Sequence, residues 1–476
     1  MSRKKIVFLV AASITVLGFV LAPRFRTASP VQAEAVHEYN HVHDHGGFSH
    51  HHGDGVYHHH HGPADEHHHG EQHAFSGQYD GFHLGEGHLV AHYAPEQAKK
   101  DQLKWKHRAD LGVISDEVKK GIAALHGGSV EDPETGLIYT CFPAAGLHVL
   151  DAELKDWKPV AGSDPIFKAP ANSHGICIWQ HGGKKGLAIA STNTATVYVT
   201  DLGGKIQSTL TMPTGVEFDD DFINSYYGGS LAKDFSPERA KSVYGANKVK
   251  KDGADVEVVK GPTFSPTCVA FLDDTFYVTT GYSTGDFVLC AVIDQSGVPR
   301  WGSLAWGRRD EGEHRHATAH GVIAREVSED KSEIIVASRA NSQVYANTPN
   351  GEHLRALALP NGALVCNSSE AKGWEFQFYP LLNPLAAEKE KFASVLIYSG
   401  KDRVGRINPG EHLHPLKEDE KIDAEAHRFV HIHHALVVKR KGSNGKETLF
   451  VVIQSWNKGG TAVFELIDVE AAVRTS

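Results

Sequence analysis

Short apolar runs recur along this chain in a regular order. From about residue 120 onward, one apolar run of about six residues is followed about ten residues later by a second, and this pair occurs six times. The first runs lie at residues 137–139, 187–189, 276–278, 334–336, 395–397 and 449–451. Their partners lie at residues 147–149, 197–199, 287–289, 343–345, 404–406 and 463–465. Another short apolar run precedes each pair, so each unit contains enough material for four strands.

Six such units predict an all-β, six-bladed β-propeller over residues 108–476. The first runs follow one another at intervals of 50, 89, 58, 61 and 54 residues. The longest interval predicts an inserted loop near residues 214–260, which is too polar and irregular to form a domain of its own. A two-sheet β-sandwich is the alternative architecture, and the regularity of the units argues against it.

The N-terminus has the pattern of an export signal. Arg3, Lys4 and Lys5 precede an apolar run over residues 6–22, and small residues at 31–33 and 33–35 offer cleavage sites. Without cleavage the same run would barely span a bilayer as an anchor. No cysteine follows the run, which excludes a lipoprotein. Residues 1–35 are therefore predicted to be a signal peptide or an N-terminal anchor, and the body is expected to be periplasmic or extracellular.

Residues 36–107 are rich in histidine and poor in apolar residues. Of the 33 histidines in the chain, 18 lie between His37 and His92. Such a composition cannot bury a core, so we expect a disordered segment. Imidazoles interleaved with carboxylates bind zinc, copper or nickel, and zinc is the leading expectation. The predicted ligands in this segment are His50, His51, His52, His58, His59, His60, His61, His67, His68 and His69.

Composition narrows the classes of function. A hydrophobic content of 41% and a charged content of 22% are those of a globular protein, which excludes wholesale disorder and a polytopic membrane protein. The net charge of −10, without any basic stripe, makes nucleic acid an unsuitable partner. Five cysteines with no close pair do not make a disulfide framework, and most are expected to pack in the core.

Histidines recur where the innermost strands of the predicted blades begin. They are His126, His174, His320 and the pair His433-His434, whereas the third blade begins at 266–268 and the fifth is expected near 374–379. Residues at these positions meet on the axis of a propeller. Three neutral imidazoles converging from a rigid ring would hold a tetrahedral metal with one open position, which is the arrangement of catalytic zinc. A histidine that only lines the channel is the alternative.

The region from Pro266 to Asn350 resembles NHL-repeat propellers and, among them, the peptidylglycine amidating lyase domain. The resemblance is carried by the runs 266–270, 276–282, 319–322 and 336–341, and more weakly by 174–176 and 433–435. It implies a six-bladed propeller that uses zinc to release glyoxylate from peptidyl-α-hydroxyglycine. It further implies zinc ligands at His174, His320 and His434. His126, at the equivalent position of blade one, is the spare, which either lines the channel without binding or replaces one of the three.

The same resemblance implies that Tyr282 is the catalytic tyrosine and that Arg339 contacts the substrate. Tyr282 would accept a proton, provided that an adjacent cation lowers its pKa from about 10. The guanidinium of Arg339 would pair with a substrate carboxylate. The sequence departs from the family at Ser283 and Ala435, where the family has a cysteine and an aspartate, and at 141–143, where its arginine is missing.

Three hypotheses of function follow. The first is an exported zinc lyase acting on a hydroxylated amide or a small carbonyl adduct. The second is a periplasmic zinc chaperone or store, in which the histidine-rich segment collects metal ions for delivery to a metal-uptake protein. The third is a propeller that docks other proteins and carries its histidines incidentally. The histidine-rich segment favours the second hypothesis, and Tyr282 and Arg339 favour the first.

Overall fold

The structure is a computed structural model of the 476-residue chain. It describes residues 50–52, 55–57, 89–91, 102–213, 246–251, 254–259 and 263–467, with gaps at 284–285, 308–315, 329–330, 372, 418–419 and 424–426. The protein is an all-β, six-bladed β-propeller, as the repeat predicted. The expected signal or anchor at 1–35 lies outside the described residues. Within the described part of the chain, no helix is long and apolar enough to cross a membrane.

Each blade is an antiparallel sheet whose strands are hydrogen-bonded in sequence order. Blade one contains Ser129–Glu131, Ile138–Phe142, Gly146–Leu150 and Trp157–Pro159. Blade two contains Ser173–His181, Lys184–Ser191, Thr196–Asp201 and Ile206–Leu210. Blade three contains Cys268–Leu272, Thr275–Thr279, Val288–Ile293 and Pro299–Trp306. First strands of neighbouring blades contact one another, so they surround the axis.

The remaining blades follow the same plan. Blade four contains Ala319–Ser328, Lys331–Ser338, Gln343–Asn347 and His353–Ala358. Blade five contains Ser369–Glu370, Phe376–Pro380, Val395–Ser399 and Asp402–Ile407. The innermost strand of blade five was expected near 374–379, and this was wrong. That segment overlaps the second strand, Phe376–Pro380, and the shorter innermost strand, Ser369–Glu370, precedes it.

Blade six is closed by a strand from the other end of the propeller. Its first three strands are His431–Lys441, Glu447–Trp456 and Gly460–Leu466, and its outermost strand is Trp105–His107. Phe464 pairs with His107, and Arg108 adds an ion pair of 2.6 Å to Glu465. This strand lies inside the segment that the sequence assigned to the histidine-rich region, so the propeller begins before residue 108. A strand of only three residues leaves too short a pattern to be recognised in the sequence without its partner strand.

Smaller elements lie outside the blades. The insertion between blades two and three contains a hairpin of Ala246–Lys251 and Ala254–Val259, and the residues at 214–245 lie outside the described ones. Three strands occur in the segment predicted to be disordered: His50–His52 pairs with Gly55–Tyr57, and Leu89–Ala91 joins the edge of blade four. The α-helices are Asp116–Gly121 and Pro409–Leu413. The 3-10 helices are Ile122–Ala124, Pro165–Phe167, Arg339–Asn341 and Ala386–Glu388.

The core consists of one apolar cluster at each seam between neighbouring blades and a smaller seventh cluster of Cys366, Leu382 and Trp456. Because side chains alternate along a strand, Leu187 and Ile189 pack toward blade one, whereas Ala188 and Ala190 pack toward blade three. This is why the middle strands are continuous apolar runs instead of alternating ones. Representative pairs across the six seams are Tyr139 and Leu187, Ala188 and Phe276, Val288 and Val336, Val344 and Leu396, Phe378 and Val451, and Phe450 and Ile138.

Candidate metal centre

Three histidines enter the channel from β-bulges at the start of innermost strands. In blade two, Ser173 and Gly175 pair with consecutive residues of the next strand, and His174 between them has no register partner. The same irregularity places His320 between Ala319 and Gly321, and His433 between Ile432 and His434. A bulge inserts one extra residue into a strand and turns its side chain away from the sheet. The repeated bulge therefore gives blades two, four and six an equivalent inward imidazole.

The fourth imidazole reaches the channel in a different way. His126 precedes the innermost strand of blade one and is followed by Gly127 and Gly128, whose φ values are 105° and 136°. A Cβ on Gly128 would lie 3.2 Å from the Cα of Gly175, so both the backbone conformation and the close approach require glycine here. These two glycines let the chain turn from His126 into blade one beside blade two.

His126, His174, His320 and His433 form one cluster, which we call the channel-histidine ring. The centroid of the His174 ring lies 4.7 Å from that of His126, 4.7 Å from that of His320 and 4.5 Å from that of His433. His433 lies 5.1 Å from His126 and 4.8 Å from His320. All four are buried, with exposed fractions of 9%, 4%, 2% and 3% in order of residue number.

Nitrogen and sulfur atoms of this cluster come within coordinating reach of one another. One potential ligand atom from each of His126, His174 and His433 lies within 4.8 Å of the other two. The same holds for His320, Cys366 and His433. His433 belongs to both sets. The structure thus brings together three of the four predicted metal histidines, His126, His174 and His320, and adds His433 and Cys366.

Backbone carbonyls orient two of the imidazoles. The Nδ1–H of His174 donates to the carbonyl oxygen of Thr267 over 2.6 Å, and the Nδ1–H of His320 donates to that of Cys366 over 2.6 Å. Thr267 and Cys366 lie at the beginning of blades three and five, the two blades that contribute no histidine. Since a carbonyl only accepts, both neutral rings carry the proton on Nδ1 and keep a lone pair on Nε2. This is the usual arrangement of a metal-binding histidine.

The ring residues fit a transition-metal ion. Burial lowers the pKa of His433 and of His320 well below the usual value, and the neighbouring imidazoles and Arg339 lower both further. Both rings are therefore neutral, which is the form that binds metal. Both nitrogens of His433 are buried without a hydrogen-bond partner among the described residues. A buried polar atom of this kind is costly to leave unsatisfied, and a metal ion would satisfy it.

Tyr282 contacts the channel-histidine ring, and Arg339 contacts Tyr282. The Tyr282 hydroxyl lies 3.0 Å from Nε2 of His320, and Nη1 of Arg339 donates to that hydroxyl over 2.6 Å. Because Nε2 of His320 is the accepting nitrogen, the Tyr282 hydroxyl donates a hydrogen bond to it. Arg339 is 1% exposed, and its guanidinium carbon also lies 5.0 Å from the centre of the tyrosine ring.

The pKa of Tyr282 shifts opposite to the expected direction. Burial raises it above its ordinary value, and the charge and hydrogen bond of Arg339 only partly oppose that rise. The loss of water around the phenol outweighs the charge of Arg339. Tyr282 therefore keeps its proton at neutral pH in this structure.

His434, expected as the third metal ligand, points away from the ring. Its Nε2 donates to the carbonyl oxygen of Ser129 over 3.0 Å, and its Nδ1 accepts from the Asn367 amide over 2.9 Å. Burial lowers the pKa of His434 to about 4. It thus joins blade six to blades one and five. Sequence reasoning missed His433 because the histidines of blades two and four stand before glycine, which made the His434-Ala435 pair look equivalent.

Other predicted ligands fall largely outside the described residues. This applies to His58, His59, His60, His61, His67, His68 and His69. His50, His51 and His52 form a backbone strand. The five cysteines are free thiols, consistent with the absence of a disulfide framework. Cys366 was missed as a candidate ligand because its sequence context is an ordinary apolar run.

Comparison with known proteins assigns no family to this chain. No protein-family model matches the sequence, and no curated protein matches it. Two similar structures are crystal structures of BBS1N in complex with ARL6DN, one soaked with mercury and one with lead. They are 12% and 14% identical to this chain, cover 73% of it and 94% and 93% of their own chains, and have TM-scores of 0.34 and 0.33. The chain is therefore not assigned to a family.

Proposed function

We propose that this chain is an exported, zinc-dependent enzyme of the amidating-lyase type, with its active site at the channel-histidine ring. The observation that carries the proposal is the chain of hydrogen bonds from Arg339 through Tyr282 to His320. A site that only stores metal has no need of a phenol held by a guanidinium against one of its ligands. Its substrate would be a peptidyl-α-hydroxyglycine or a related small carbonyl adduct.

The ring residues would hold the ion through neutral imidazole nitrogens. His433 and His174 are the central members, since each lies against all the other rings of the cluster. Bound zinc would supply a Lewis acid that lowers the pKa of a substrate hydroxyl. Thr267 and Cys366 would keep the imidazoles in the binding tautomer through their carbonyl oxygens.

Tyr282 and Arg339 would handle the proton and the carboxylate. In breakdown of a hydroxyglycine amide, the hydroxyl loses its proton, the carbon–nitrogen bond breaks, and the nitrogen gains a proton. Tyr282 is protonated in this structure, so its phenol is suited to deliver that last proton and to be reprotonated afterwards. Arg339 fixes the hydroxyl and would attract the substrate carboxylate.

The test is glyoxylate release from a peptidyl-α-hydroxyglycine by the zinc-loaded full chain. Tyr282→Phe keeps the ring and removes the proton, so we expect glyoxylate release to fall about 100-fold or more while bound zinc stays constant. Tyr198→Phe, in a seam away from the channel, is the matched control, and its glyoxylate release should equal that of the unaltered chain. Absence of release by the unaltered chain, or equal release by Tyr282→Phe, would refute the enzyme.

A metal store that passes zinc to an uptake protein is the second candidate. The observation that favours it is burial: the ring histidines are at most 9% exposed, and Arg339 is 1% exposed. A closed, fully liganded site is characteristic of held metal, whereas a catalytic site keeps a position open. If zinc moves from the protein to a metal-free acceptor without any glyoxylate release from the test peptide, the store replaces the enzyme.

A further inference from the structure

Cys366 stands beside the channel-histidine ring. It lies just before the innermost strand of blade five, and its exposed fraction is 1%. Its Sγ is within 4.8 Å of a ligand nitrogen of His320 and of one of His433. Among the described residues, no other cysteine belongs to such a group. The ordinary interpretation of a buried free cysteine is a small apolar side chain in a core.

Cys366 also packs with Leu382 and Trp456 in a small apolar cluster, and its sulfur is contacted by the Arg339 guanidinium and, at 3.9 Å, by the carbonyl oxygen of Leu364. One observation separates it from an ordinary core cysteine. The imidazole of His433 beside it is 3% exposed, and neither ring nitrogen has a hydrogen-bond partner among the described residues. A thiol at a polar, unsatisfied imidazole is placed as a ligand would be.

We propose that His320, Cys366 and His433 form a second metal position in the channel, selective for a thiophilic ion. This second position is distinct from the zinc enzyme proposed above, with which it shares only His320 and His433 of the channel-histidine ring. Two imidazoles and one thiolate suit soft and borderline ions such as copper, cadmium and zinc, whereas the set of His126, His174 and His433 offers nitrogen alone. Binding replaces the thiol proton, which leaves to solvent as the sulfur–metal bond forms.

The second position shares a ligand with the nitrogen set. Since His433 belongs to both sets, an ion at one position removes a ligand from the other. The two positions therefore compete, and a thiophilic ion should displace zinc from the ring.

The probe is Cd²⁺, added to the reduced, metal-free full chain, with ultraviolet absorption from cadmium–thiolate charge transfer as the readout. The histidine-rich segment is expected to bind cadmium as well, but it contains no cysteine, so it would contribute nothing to this band. The unaltered chain should show the band, and Cys366→Ser should lose it. Cys177→Ser, which removes a half-buried thiol on a strand of blade two, should keep it.

Two histidine variants complete the test. His126→Ala should keep the band, because His126 belongs only to the nitrogen set, and His320→Asn should weaken cadmium binding with every cysteine in place. If Cys366→Ser does not fold, the weaker cadmium binding expected of His320→Asn still tests the proposal. Absence of the band in the unaltered chain, its survival in Cys366→Ser, or equal loss in Cys177→Ser would overturn the proposal. Because the band reports sulfur ligation alone, failure of glyoxylate release leaves the result unaffected.

Discussion

Two adjacent histidines at the start of blade six have opposite environments. His433 lies in the bulge and faces three other imidazoles, whereas His434 is hydrogen-bonded to Ser129 and Asn367. A strand alternates its side chains between two faces, so a single bulged residue decides which of two neighbours enters the channel. The roles of these residues should therefore separate in experiments.

We predict that His433→Ala removes the tightly held channel zinc and that His434→Ala does not. His434→Ala should instead lower the free energy of unfolding by about 1–3 kcal/mol, since it leaves a buried carbonyl and a buried amide without partners. Zinc content after mild chelation and denaturant unfolding of the metal-free proteins are the measurements. Loss of zinc from His434→Ala alone would mean that the original assignment was correct.

A buried histidine far from the channel should make stability depend on pH. His148 is 2% exposed, its Nδ1–H donates to the carbonyl oxygen of Gly146 over 2.9 Å, and burial lowers its pKa. The unfolded chain binds a proton near pH 6.5 and the folded chain only at lower pH, so protonation favours unfolding. His148 therefore contributes stability that is present above pH 6.5 and is lost as the pH falls toward its lowered pKa.

The expected result is a lower free energy of unfolding at pH 5.5 than at pH 7.5, with a smaller difference in His148→Gln. Comparing the two pH values within each protein removes the packing cost of the substitution itself. Other buried histidines contribute to the total, so the test is the difference between the two slopes. A slope that His148→Gln leaves unchanged would show that this residue does not titrate on unfolding.

Among the secondary-structure elements, the strand Trp105–His107 closes the propeller. It supplies the outer edge of blade six, and the Trp105 side chain packs edge-on against Phe378 of blade five, with ring centroids 6.0 Å apart. Because blade six combines strands from both ends of the propeller, neither end can unfold without breaking the contacts of the other. The three residues should therefore matter more for stability than their number suggests.

We predict that Trp105→Ala lowers the free energy of unfolding by about 3–5 kcal/mol, the range for removing a buried tryptophan. The neighbouring Lys106 is exposed, so Lys106→Ala should change it by less than about 0.5 kcal/mol. Chemical denaturation of the two variants beside the unaltered chain measures this. Similar small effects would mean that the strand is not needed to close the ring.

Glycines explain why blade six departs from the pattern of blades two and four. A Cβ on Gly175 would lie 2.6 Å from Sγ of Cys268, and one on Gly321 would lie 2.6 Å from the Cα of Asn367. The residue after each bulged histidine must therefore be small, because the next blade begins against it. In blade six that residue is His434, and Gly127 of blade one provides the room, at 3.4 Å from a Cβ built on it to Cβ of His434.

At the scale of the whole molecule, metal stoichiometry should separate the histidine-rich segment from the propeller. Deleting residues 37–88 spares the strand Leu89–Ala91 and removes 17 of the 33 histidines. We expect the deletion to lower bound zinc by several ions and to leave the melting temperature nearly unchanged, since such a composition contributes no packed core.

The matched control is His433→Ala in the full chain, which should lose the channel ion and keep those of the segment. Elemental analysis and calorimetry of the two proteins measure both effects. A large fall in melting temperature on deletion would show that the segment stabilises the propeller. Unchanged zinc content would show that the segment does not hold metal.

The architecture and three of the four ring histidines were predictable from the amino-acid sequence. Apolar runs at regular intervals require six similar sheets, because each run must bury both of its faces between neighbours. His126, His174 and His320 were found for the same reason, since equivalent positions of a repeat meet on its axis. Tyr282 and Arg339 were identified by resemblance; Tyr282 touches the ring, and Arg339 touches Tyr282.

The features that depend on contacts between blades could not be predicted from the sequence and are seen only in the folded protein. The bulge at His433 and the orientation of His434 follow from the register of two strands and from Gly127 in the neighbouring blade. The closing strand Trp105–His107 is recognisable only beside its partner, more than 350 positions away in the chain. Cys366 and the pKa of Tyr282 depend on burial among groups from several blades, which no local pattern encodes.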